Sequence, residues 1–100
     1  MKVEFKDQTV KSCTAPTEQK LFRGDNTAGW ALMFSLTGEI SSADLDDILT
    51  GENISELAFL TDAGVGITEA NGYSKVSSCT IRHAENPQDT RAEIQLTKGV

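Results

Sequence analysis

Only one stretch of this chain carries the spacing of a helix, and that removes most α/β architectures from consideration. The stretch is Ile40 to Gly51. Leu45, Ile48 and Leu49 follow i, i+3, i+4 spacing, which gives one apolar face. Ser41 is suited to the N-cap, where its hydroxyl can accept from an orphaned backbone N–H, and Asp44 stands where a capping-box residue would reach back. Ile40 and Leu45 occupy the two places of a hydrophobic staple. Asp44, Asp46 and Asp47 sit where the helix dipole favours negative charge. Gly51 is expected to end the helix in the left-handed conformation. A helix of about residues 41–50 is too short to be stable alone and must dock on other elements. Parallel strands need repeated helical crossovers, so the remaining strands are expected to pair antiparallel.

Those strands can be read in order. Val3 and Phe5 alternate with Lys2, Glu4 and Lys6, the period of a half-buried strand. A turn at Asp7-Gln8-Thr9 leads to a returning strand, Thr9 to Thr14, which Ala15-Pro16 ends. Thr17 to Arg23 reads as a strand with Leu21 and Phe22 on opposite faces. The composition of 24–29 predicts a loop. Trp30 to Leu36 follows, apolar on both faces, which suggests a central strand covered on two sides. Beyond the helix, Ile54 to Thr61 reads as a strand, Asp62-Ala63-Gly64 as a hairpin turn, and Val65 and Ile67 as a short return. Asn71-Gly72 is a turn signal, since both residues tolerate positive φ. Tyr73 to His83 is β-prone and mixed in polarity, with one side toward water or a partner. Residues 85–89 form a loop, and Ala92, Ile94 and Leu96 mark a one-sided last strand. The sum is a mainly β (α+β) chain: an antiparallel β-sandwich or small barrel of about six to eight short strands with one helix, in a single domain over residues 1–100.

Charge limits the partners. The net charge of −6 argues against direct nucleic-acid binding, which needs a basic footprint. Residues 1–38 carry five Lys/Arg and four Asp/Glu, and residues 70–100 carry four and three. Residues 39–69 carry eight acids and no Lys or Arg, so the excess of negative charge belongs to this third. Asp44, Asp46, Asp47, Glu52 and Glu56, on and just after the helix, are therefore the candidate partner-binding residues.

No catalytic or cofactor set is legible. Cys79 and His83 would be about 13 Å apart along a strand, too far for a nucleophile pair. No CxxC or HxxxH spacing suggests a metal. The expectation is a buried Cys79, a surface His83 and no enzyme, with a small enzyme built around Cys79 as a third reading behind the two given below. Asp44-Leu45-Asp46-Asp47 fails the calcium-loop spacing, since its fifth and sixth places are Ile48 and Leu49. Gly64-Val65-Gly66 lacks the lysine of a phosphate loop. Asn53-Ile54-Ser55 matches a glycosylation sequon, but no signal-peptide core accompanies it. Trp30 is expected in the core. No apolar run approaches the length of a membrane helix. The chain is expected in the cytosol or in an assembly built there, without a membrane, metal or cofactor.

The order of elements gives a resemblance. A first strand ends in Phe5-Lys6-Asp7-Gln8-Thr9, a central strand runs into Ser42-Ala43-Asp44-Leu45-Asp46-Asp47-Ile48-Leu49, and Asn53 to Leu60 follows. Then come Asn71 to Val76 and the closing alternation Ala92 to Lys98. This resembles small β-rich proteins of bacteriophage and prophage structural modules, near tail and baseplate components. The resemblance implies a non-enzymatic virion or assembly component in a bacterial host, acting on copies of itself or on other phage structural subunits. An alternative places the acid-only stretch at the centre. A phage-encoded inhibitor or regulator could use it to mimic a phosphate backbone and compete for the basic groove of a host enzyme.

Overall fold

The computed structural model describes all 100 residues. Eight strands form two antiparallel sheets of four, ordered β2-β1-β5-β6 and β3-β4-β8-β7. The strands are β1 (Lys2–Glu4), β2 (Val10–Ser12), β3 (Thr17–Arg23), β4 (Asn26–Thr37), β5 (Glu56–Leu60), β6 (Gly66–Asn71), β7 (Lys75–Arg82) and β8 (Arg91–Gly99). A single helix, α1 (Ser42–Ile48), lies between β4 and β5.

Alternation decides what each sheet buries. Val3 pairs with Phe59 in the first sheet, and Leu32, Phe34 and Leu36 pair with Leu96, Ile94 and Ala92 in the second. All eight side chains are buried in one core. Phe34 and Phe59 meet edge to face across the two layers, with ring centroids 5.4 Å apart. The molecule is a small β-sandwich, and α1 adds Leu45 and Ile48 to its core.

The helix is capped at its start as its sequence predicts: Ser41 Oγ accepts from Asp44 N at 3.2 Å. The Asp44 carboxylate makes no return hydrogen bond, so the capping box is half formed. The helix ends at Leu49 (φ −93°, ψ 52°), and Gly51 has no positive φ, contrary to the left-handed stop expected there. Gly51 instead lies close to another segment. A Cβ on it would lie 3.0 Å from the Ser74 carbonyl oxygen. The orphaned carbonyl of Ile48 is taken by the side-chain amide of Asn53, at 2.9 Å.

Several other expectations are corrected by register. The loop at 24–29 shrinks to Gly24-Asp25, because β4 begins at Asn26 and continues the β3 ladder. The segment before β5 opens as a 3-10 turn, Asn53–Ser55. Asn71-Gly72 does not close a hairpin: only Gly72 takes positive φ (88°), and the chain there passes from one sheet to the other. β4 is central and turns Leu32, Phe34 and Leu36 to the core, while its other face is only partly covered, with Ala31 buried but Met33 and Ser35 half-buried.

Cys79 is exposed, not buried. It lies on β7, an edge strand with a bulge between Val76 and Ser78. The extra residue, Ser77, keeps Val76, Cys79 and Ile81 opposite Leu96, Ile94 and Ala92, on the inner side of the sheet. The layer beneath them is α1 rather than a strand, so the cover is incomplete. The buried thiol is Cys13, which bridges β2 to Leu36 of β4.

Candidate partner-binding surface

The five candidate acids do not form one surface. Asp44, Asp46 and Asp47 are exposed on α1, but Asp46 and Asp47 border different hollows. Asp47 shares one with Lys6, Asp7, Thr50 and Glu52. There Lys6 Nζ lies 3.9 Å from Glu52, an exposed pair that adds little to stability. Asp46 instead borders a groove between α1 and β7.

Glu56 belongs to a third place, the outer face of the first sheet. Ala58 on β5 is opposite Glu4 on one side and Glu69 on the other, and Glu56 is two residues along the same face. The short alanine side chain leaves a shallow hollow walled by these carboxylates and by Lys6. Glu4 lies far from the others in sequence and joins them only through strand pairing. Asp62 is occupied: the N-terminal ammonium donates to it at 2.6 Å, and this hydrogen bond holds its carboxyl below the usual range.

The groove beside Asp46 has apolar walls, Leu45 of α1 and Leu49 at its C-cap with Val76, Cys79 and Ile81 from β7. Partial burial raises the Cys79 thiol above its ordinary pKa, with a smaller push from the Asp46 carboxylate. Desolvation raises Cys13 further, to about 11, so both thiols are protonated and weak nucleophiles near neutrality. His83 is exposed beyond the end of β7.

Two constellations had no signature in the sequence. Asn53 is buried and fully engaged. Besides holding the Ile48 carbonyl, its side chain accepts from Asp7 N at 2.8 Å, and its own N–H donates to Thr50 Oγ1 at 3.2 Å. The second closes one end of the sandwich. Tyr73 is wholly buried and its hydroxyl donates to the Glu18 carboxylate. Burial, reinforced by that acceptor, keeps the phenol protonated well above the ordinary tyrosine range. Lys98 Nζ lies 4.7 Å from the Tyr73 ring centroid and 5.4 Å from that of Trp30, and donates to the Asn71 carbonyl at 3.0 Å. Trp30 is half-buried against the core, with this lysine above it rather than a full cover.

Fold and surface together define the class: a small two-sheet antiparallel β-sandwich with one helix docked at an open edge and its acids spread over several faces. No known protein family, curated protein or solved structure matches the chain. No helix is long and apolar enough to cross a membrane.

Proposed function

We propose that the protein is a non-enzymatic interaction module, a structural or assembly component of a bacteriophage particle of the tail, baseplate or connector type. The observation that carries the interaction reading is where its exposed apolar side chains lie. Phe22 is 65% exposed near the tip of the β3–β4 hairpin, Val65 and Ile67 are 63% and 56% exposed on the β5–β6 hairpin, and Val10 is 43% exposed on edge strand β2. Scattered exposed apolar residues need no special cause, but these sit on hairpins and edges, where neighbouring subunits make contact. The order of elements, which resembles that of phage structural-module proteins, supports the particular setting.

Sedimentation velocity of the wild-type chain beside Phe22→Ser and Ile67→Ser tests this. The reading expects association in the wild type and less in each variant. Equal association in all three would remove the apolar hairpins from the argument.

A second reading is an acidic antagonist of a host nucleic-acid-binding enzyme. It is favoured by the lack of any cation within salt-bridge distance of Asp44, Asp46, Asp47, Glu56 or Glu69, which leaves these charges free for a basic groove. Under it, capture of the enzyme falls with salt and with reversal of Asp44, Asp46, Asp47 and Glu56 to lysine. Capture indifferent to both would dismiss it.

A further inference from the structure

The open side of the second sheet combines three features. β7 is the last strand of that sheet, and apart from the β7–β8 ladder no backbone hydrogen bond involves Val76 to Arg82. Its far side therefore presents unpaired donors and acceptors. Beneath it, α1 and β7 enclose a groove of about 350 Å³ walled by Leu45, Leu49, Val76, Cys79 and Ile81. Asp46 stands at the rim of that groove as its one charged lining residue.

Each feature selects for a property of the occupant. Unpaired backbone selects an extended chain, because only a strand can continue the ladder. A groove on one side of that strand selects alternate apolar side chains, since successive residues point to opposite faces. The rim carboxylate selects a cation. We infer that β7 and α1 form a receptor for an extended polypeptide segment of a partner, which adds to β7, sets alternate apolar side chains over α1 and places a lysine or arginine beside Asp46. The inference rests on the reading of the protein as an interaction module and names one of its contact sites. A second copy's β7 is a poor occupant. Antiparallel pairing over the full strand would set Lys75 of one copy opposite Arg82 of the other, and β7 itself carries no acid. The bulge at Ser77 confines docking to the regular part of the strand, Ser78 to Arg82.

The probe is a synthetic peptide capped at both ends, with threonine at every second position and valine, valine and lysine in turn at the positions between, so that the lysine shares a face with the valines. One control replaces lysine by glutamate, and another carries prolines that cannot join a ladder. The readouts are amide shifts and slowed hydrogen exchange over Ser78–Arg82, and protection of Cys79 from iodoacetamide with buried Cys13 as the internal reference. The lysine peptide is expected to produce all three changes and the controls none. Asp46→Lys, an exposed change whose fold is checked by its amide spectrum, is expected to weaken the lysine peptide about tenfold and to admit the glutamate peptide. Equal binding of the proline peptide, changes centred on Glu56 instead of β7, or indifference to Asp46→Lys would overturn the receptor. If hairpin-dependent association persists while β7 stays silent, the receptor falls and the assembly reading stands. If the peptide docks on β7 but the protein neither self-associates nor joins a particle, the assembly reading falls and the receptor stands.

Discussion

Asn53 shows how much one polar side chain can hold together. Its amide donates to the Ile48 carbonyl, five residues back, and its oxygen accepts from Asp7 N, 46 residues away, so it ties the end of α1 to the β1–β2 turn. Asn53→Leu leaves the Ile48 carbonyl unpaired in a buried place and the Asp7 N–H unpaired in a half-buried one. The expected cost is about 2–4 kcal/mol, read as a lower urea midpoint at unchanged slope. Nothing local in the sequence marks this role, because its partners are brought close only by the fold. Cys79 makes a related point. A free thiol is expected inside as a small hydrophobe, as Cys13 is, yet an edge strand gives the inner residues of β7 only partial cover. At mildly alkaline pH one thiol is expected to react quickly with a disulfide reagent, and Cys13 only on unfolding. The raised pKa values of Cys13 (about 11, from 9.0) and Tyr73 set the sign of the alkaline limb. Each folded-state value lies above its unfolded one, so the stabilisation is complete below the unfolded value and is lost as pH rises toward and through the folded one. Denaturant melts at increasing pH should therefore weaken above about pH 9, and less steeply in Cys13→Ala. A flat response to pH would contradict the burial assigned to both groups.

At the scale of elements, local chemistry was the most legible part. Ser41 caps α1, Leu45 and Ile48 point inward, and Thr17 to Arg23 forms a strand with the bounds its composition suggests. Ser41→Ala is expected to lower stability by about 1 kcal/mol. What the sequence could not show were the interruptions of period. The bulge on β7 inserts Ser77 between two inward residues, and that on β6 leaves Ile67 as the extra residue opposite the Phe59–Leu60 step. A bulge is set by pairing with another strand, so no local pattern reports it. Deleting Ser77 should restore a regular ladder in which Val76, Cys79 and Ile81 still face inward. The deletion is expected to fold with a similar amide spectrum but to aggregate more readily, because a flatter edge is easier to extend. Outright unfolding would show that the bulge is required for the packing of β7. Gly51 carries a similar lesson. Its position after a helix suggests a left-handed stop, but what it makes is a close approach to Ser74, a contact between distant segments.

For the whole molecule, sheet composition was the hidden variable. Turn signals and alternation give about six to eight strands in a sandwich or small barrel, but they do not say that β6 and β7, neighbours in sequence, belong to different layers. The same arrangement divides the acid-only segment. Asp46 faces the β7 groove, Asp47 and Glu52 face Lys6, and Glu56 joins Glu4 and Glu69 on the outer face of the first sheet. A single acidic contact surface is thus replaced by separate ones, and the strand edges differ in what they permit. β2 has three residues, β6 and β7 carry bulges, and β3 turns Glu18 and Lys20 toward the inner side, since they pair with Leu32 and Trp30. These features limit open-ended strand addition, which leaves contact through apolar hairpins and the α1–β7 groove as the routes to a partner. The most direct test of the interaction reading is light scattering behind a size-exclusion column, run over a wide concentration series with the wild-type chain. The account expects a molar mass that rises with concentration above that of one 10.8 kDa chain. A strict monomer at every concentration, which also fails to join any larger particle, would contradict it.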